Sequence, residues 1–186
     1  MNRTLIGIIL VGTLLNVTSC GGGSMTKSFL REEVSLGHIQ TVAVLPFEGD
    51  RNAPRIREFA MTQMLTSGLF DVADKGRVDF ILDQEAIIRA GTPLDIATIR
   101  RLGQLLNVQA ILFGSVTQET ESRGNAVYPE ITMTLRLIDC ETGTLLWQAS
   151  GRGSGYAVSD RLFGFAAKDA FQVTMDLLNN LFATIR

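Results

Sequence analysis

Histidine is almost missing from this 186-residue chain, with His38 the only one. It lies ahead of the first apolar strand pattern, so neither a multi-histidine metal site nor a histidine-based nucleophilic triad is available from one chain. Cysteine is nearly as scarce: Cys20 and Cys140 are the only two, and they form no Cys-x-x-Cys pair. Basic runs are absent as well, and the formal charge is −2. Phosphate binding needs a concentrated basic face, so nucleic acid is excluded as a partner. Long apolar runs are missing too. The longest, Leu5 to Leu15, has eleven residues, against about 20 for a membrane-spanning helix. No internal repeat is visible.

What is present begins at the amino terminus. Arg3 precedes the apolar run, and small residues then lead to Cys20 and Gly21–Gly23. Charged, apolar, small is the order of a secretory signal. Val17, Thr18, Ser19 and Cys20 resemble the lipobox of bacterial lipoproteins. The resemblance implies cleavage before Cys20, a diacylglyceryl thioether on its sulfur and acylation of its new amino group, palmitate being the expected chain. Each buried methylene contributes roughly 0.8 kcal/mol, and two or more chains make a stable anchor. Gly21 stands where an aspartate marks retention at the inner membrane, so the implied address is the outer membrane, facing the periplasm. Removal of residues 1–19 leaves 167, enough for one domain with a full core. Residues 20–40 read as the lipidated cysteine and a flexible tether, with a root-mean-square span of roughly 25 Å. Residues 41–186 read as the domain.

Within that domain, Thr41–Leu45 is β-branched and apolar and stops at Pro46, which predicts a buried strand. Pro54 suits a first helical turn, and Ile56, Phe59, Ala60, Met64 and Leu65 stripe a helix that Gly68 ends. Leu69–Ala73 predicts a short strand. Val78, Ile81, Leu82, Glu85 and Ile88 predict a second helix ending at Gly91, and Ile96, Ile99, Leu102 and Leu106 a third closed by Asn107. Two long strands then follow, Val108–Thr120 and Val127–Cys140, with a third over Thr144–Ser150. Residues 151–155 read as a glycine-rich loop, and Phe163, Ala166, Ala170, Val173, Leu177, Leu181 and Ile185 as one face of a long last helix. The expected fold is α/β (α+β): a single three-layer domain whose mixed β-sheet runs βαβαα, then an antiparallel βββ meander and a long C-terminal helix.

Three strings carry a family resemblance: VAVLPFEGD (42–50), LLNVQAILFGSV (105–116) and LRLIDCETGTLLW (135–147). In this order, behind a lipobox, they resemble the CsgG family of outer-membrane lipoproteins, whose fold is similar to the amino-terminal domain of TolB. Channel-forming members insert two long membrane-crossing hairpins per subunit. Residues 117–130 and 151–162 occupy those places here and are short, polar and glycine-containing, whereas a spanning strand needs about 9 to 11 residues with one lipid-facing side. The chain therefore looks like a compact, PelC-like member without the hairpins. The resemblance implies a homo-oligomeric assembly on the periplasmic side of the outer membrane, bound to lipid through Cys20, that supports secretion or export of curli-like or polysaccharide cargo. The alternative is a periplasmic interaction module such as a penicillin-binding-protein activator, a role that needs a long reach.

Candidates for chemistry are few, and no enzyme, metal or cofactor is expected. Gly151, Gly153 and Gly155 form G-x-G-x-G, but Tyr156 stands where a dinucleotide fingerprint needs its last glycine. Asp71, Asp74, Asp79 and Asp83 are scattered along a strand and a helix face. Cys140 is either a reactive lone thiol or a core residue, and Trp147 closes a strand as a core or interface residue. The compact relatives imply an aromatic that dips into lipid near the start of the last helix, which makes Phe163 and Phe165 the candidate membrane contacts.

Overall fold

A computed structural model describes residues 25–31, 36–85, 94–123, 126–156 and 167–185. Seven strands form one sheet: β1 (Met25–Leu30), β2 (Thr41–Val44), β3 (Glu48–Gly49), β4 (Asp71–Val72), β5 (Ala110–Arg123), β6 (Ala126–Asp139) and β7 (Leu145–Ser154). The helices are α1 (Ala53–Ser67), α2 (Lys75–Gln84), α3 (Ile96–Leu106) and α4 (Ala170–Phe182), with 3-10 turns at Leu36–His38 and Ala183–Ile185. Strand order is β1-β7-β6-β5-β2-β4, and β3 pairs with β5 beyond the end of β2.

The two-residue period of β2 separates the core into two halves. Val42 and Val44 point into a cluster with Ile56, Ala60 and Met64 of α1 and Leu177 and Leu181 of α4. Ala43 and the following Leu45 point the other way, against Val78 and Leu82 of α2 and Leu102 and Leu106 of α3. Parallel pairing of β2 with β4 and with β5 requires the helical crossovers that α1 and the α2–α3 pair supply. The β5–β6–β7 meander is antiparallel. Ile131, Met133, Leu135 and Leu137 of β6 face α4 and are completely buried, while Thr132 and Arg136 are exposed. The expected mixed α+β fold is the one observed, with helices on both faces of the β2–β5 half.

Local chemistry accounts for the boundaries. Pro54 lies in the first turn of α1, and Gly68 ends that helix at φ 64°. Asp74 and Asp95 cap α2 and α3 by accepting from the backbone N–H of Arg77 at 2.9 Å and Thr98 at 2.7 Å. Asn107 closes α3 in the left-handed region, at φ 56°. Asp169 and Gln172 form a reciprocal capping box on α4.

Five expectations are corrected. Residues 20–40 are not a tether throughout, because Met25–Leu30 pairs antiparallel with Trp147–Arg152 of β7 as an edge strand. Residues 151–155 are not simply a loop, because β7 runs on to Ser154. The glycines there admit α4: a Cβ on Gly151 would lie 2.8 Å from Leu177 Cδ1, and one on Gly153 would lie 3.0 Å from Val173 Cγ1. The last helix begins at Ala170, where the capping box sits. The second helix is Lys75–Gln84; Ile88 and Gly91 lie outside the described residues. Ile96 and Leu65, expected in apolar stripes, are 50% and 53% exposed.

Candidate functional site

Two depressions carry polar side chains. The first, about 360 Å³, lies where the β6–β7 turn meets α3 and the chain entering β2; its lining includes His38, Arg100, Gln109, Asp139 and Cys140. Asp139, the last residue of β6, is buried. Its Oδ2 accepts from His38 Nε2 at 2.9 Å. Its Oδ1 accepts from the backbone N–H of Glu141 at 3.0 Å and from the N–H and hydroxyl of Thr142 at 2.7 and 2.8 Å. Burial opposes its charge, but the bonds from His38, Thr142 and Glu141 prevail and hold its pKa below the usual aspartate value. Nearby, Gln109 Oε1 accepts from the backbone N–H of Gln40 and Thr41 at 3.0 and 2.8 Å. Arg100 Nε donates to the carbonyl of Glu141. These groups fasten three segments together. Cys140 is buried among them, and burial plus the Asp139 charge pushes its thiol up to about 12. A thiol that stays protonated at neutral pH is a poor nucleophile, so Cys140 is a core residue here.

The second depression, about 250 Å³, lies past the carboxyl end of β2, between α1 and α2. Arg57 is buried there at 3% exposure. Its Nε and Nη2 donate to the Val44 carbonyl at 3.0 and 2.7 Å, and its Nη1 to Asp79 Oδ1 at 2.6 Å. Lys75 Nζ completes the cluster on Asp79 Oδ2 at 3.0 Å. Although burial raises it, Asp79 is held below its usual value by Arg57 and Lys75. The guanidinium fork thus satisfies a strand-end carbonyl and joins the two helices across the top of the sheet.

The four aspartates singled out by sequence separate in space by task. Asp74 caps a helix, Asp79 pairs with Arg57, Asp83 lines the same second depression as Asp79, and Asp71 lies on the edge strand β4. Among the described residues no group of three or more His, Cys, Asp or Glu side chains is arranged to hold a metal ion. Trp147 is fully buried, donates from Nε1 to Thr184 Oγ1 at 2.9 Å and stacks on Phe182 at 6.1 Å. Its role is in the core. Sequence reasoning missed Arg57, whose charge hides it inside an apolar stripe. It also missed the pairing of His38 with Asp139, which lie 101 positions apart. It did not single out Asp74 and Asp95 as the helix caps they form. Cys20, Phe163 and Phe165 lie outside the described residues.

Among the described residues the mixed sheet is covered by helices on both faces at one end and on one face at the other, which defines a small α+β fold. The chain belongs to the LpoB family, the peptidoglycan-synthase activators, whose model matches residues 53–152. That family, and not CsgG, is the one the comparison shows. Among solved structures, the PelC dodecamer from Paraburkholderia phytofirmans is 16% identical with a TM-score of 0.57, over 86% of this chain and 96% of that one. Lipoprotein GNA1162 from Neisseria meningitidis is 18% identical with a TM-score of 0.55, over 78% of this chain and 99% of that one. A search of curated proteins returned no match. No described helix is long and apolar enough to cross a membrane.

Proposed function

We propose that the protein is a lipid-anchored module on the periplasmic face of the outer membrane that works by protein contact without catalysis, assembling with copies of itself to support secretion or export. The observation that carries this reading is the place where the sheet begins. Met25 opens β1 five positions after Cys20, the residue proposed to carry the lipid. Five residues span at most about 18 Å when fully extended, so the folded body stays against its own leaflet. Confinement to that layer favours contact between copies over reach across the periplasm. Likeness in fold to a protein solved as a dodecamer supports the same reading.

Membership of the LpoB family favours a second reading, activation of a peptidoglycan synthase. The two separate in one preparation. Protein extracted from membranes in mild detergent is expected to show a multiple of the subunit mass by native mass spectrometry. A monomer that stimulates glycan polymerisation by a peptidoglycan synthase would replace the first reading with the second.

A further inference from the structure

The edge strand β1 carries an uneven distribution of side chains. Thr26, Ser28 and Leu30 pair with Gly151, Ala149 and Trp147, the residues that face α4. By alternation Met25, Lys27, Phe29 and Arg31 project from the opposite face, an apolar side chain and a cation in turn. Met25 is 78% exposed and Phe29 50%. The α2–α3 layer on that face packs against β2 and β5 and stops short of β1. Cations also stand inward of the edge: Arg152 pairs in register with Met25, and Arg136 is two strands in from Phe29, across Gln148. Beyond the Met25 row, toward the tip of the β5–β6 hairpin, the same face carries the acids Glu119, Glu121 and Glu130, the last ion-paired with Arg152. The face is therefore basic and apolar at its β1 edge and acidic toward the tip of the β5–β6 hairpin.

We propose that the β1 edge, with Met25, Lys27, Phe29 and Arg31, is a membrane-docking surface that rests on the anionic headgroups of the bilayer. The inference rests on the reading of Cys20 as the anchored residue, which holds Met25, where this edge begins, within about 18 Å of lipid. Apolar side chains alternating with long cations suit the interface, where Met25 and Phe29 enter the acyl boundary while Lys27 and Arg31 extend to phosphate. Arg31 donates to the Leu145 carbonyl and to β7 backbone through its own N–H. By alternation the backbone groups of Thr26, Ser28 and Leu30 point outward, where hydrated headgroups satisfy them.

The test uses full-length lipidated protein in phosphatidylethanolamine–phosphatidylglycerol vesicles containing acyl-brominated lipid. Native Trp147 is fully buried and supplies a constant background. Phe29→Trp is expected to add blue-shifted emission that brominated lipid quenches, and adding Lys27→Glu to it should weaken that quenching. Phe80→Trp, at a site 59% exposed on α2, is expected to add emission that is not quenched. Met25→Trp repeats the measurement should Phe29→Trp fold poorly by circular dichroism. Unquenched emission at position 29 or 25, or equal quenching at position 80, overturns the proposal. So does shielding of position 29 in detergent that grows with protein concentration, which would mean that the edge pairs with a second copy. The mass of the Cys20 peptide is read separately. An unmodified thiol sinks the reading of the protein as lipid-anchored, while quenching by vesicles added to that protein still reports on β1 itself.

Discussion

Asp139 accepts four hydrogen bonds from three residues, and two of those residues define the β6–β7 turn. Removing a buried acceptor leaves its donors unsatisfied, at about 1–3 kcal/mol. Asp139→Ala is therefore expected to destabilise the domain by about 2–3 kcal/mol in urea unfolding, and Asp71→Ala on the exposed edge strand by less than about 0.5 kcal/mol. The sign of the pH effect follows from the depressed pKa. The carboxylate's contribution is fully present above the unfolded-state value of about 3.9 and is lost as pH falls through the lower folded value. Unfolding free energy measured from about pH 5 downward should fall less steeply in Asp139→Asn than in the parent. A parallel fall in both would show that Asp139 does not govern the acid limb. At this scale the sequence is a partial guide. A cap such as Asp95, though not read as one, stands three residues before its donor, a spacing the sequence does carry, whereas the bond between His38 and Asp139 exists only once β6 has been laid near the entry to β2.

Elements built on periodic burial were legible, and those built on close approach were not. The stripes of α1 and α3 and the alternation of β6 appear in the sequence because each buries a repeating set of side chains. β1 buries little on either face, so a polar, mixed segment reads as tether although its backbone is paired. The glycines of β7 suggest a turn by composition, yet they are strand residues chosen for the nearness of α4. Gly103 obeys the same logic on the opposite face: a Cβ there would lie 2.6 Å from Cys140 Cβ and 3.3 Å from the Val108 carbonyl oxygen. Neither is the far end of a flexible side chain, so α3 itself must move. Gly→Ala in a helix interior ordinarily gains about 1 kcal/mol, while overpacking costs about 1–3 kcal/mol. Gly103→Ala is expected to lower stability by up to about 2 kcal/mol net, read as a drop in Tm. A rise in Tm would mean that α3 is free to slide on the sheet.

On the proposed lipidation of Cys20, the governing quantity for the whole molecule is the distance between that residue and the first strand. Members of one sequence family can share a fold and still differ in what they touch, because a tether sets the radius within which a partner must be found. Here the pairing of β1 with β7 shortens the expected 20-residue tether to the few residues between Cys20 and Met25. Inserting about thirty Gly and Ser residues between Gly23 and Ser24 lengthens the ceiling from about 18 to about 120 Å without touching the sheet. The Tm of the domain should not change. At fixed surface density on vesicles, chemical crosslinking between copies should fall, because the bodies are diluted into a thicker layer and lose their common orientation. A module whose partner is a peptidoglycan synthase across the periplasm behaves in the opposite way, since stimulation of a synthase held on an opposing membrane grows as the linker lengthens. Falling crosslinks with no gain in stimulation fit a module that works where it is anchored, and a gain in stimulation would assign this short-tethered chain the role its family model describes.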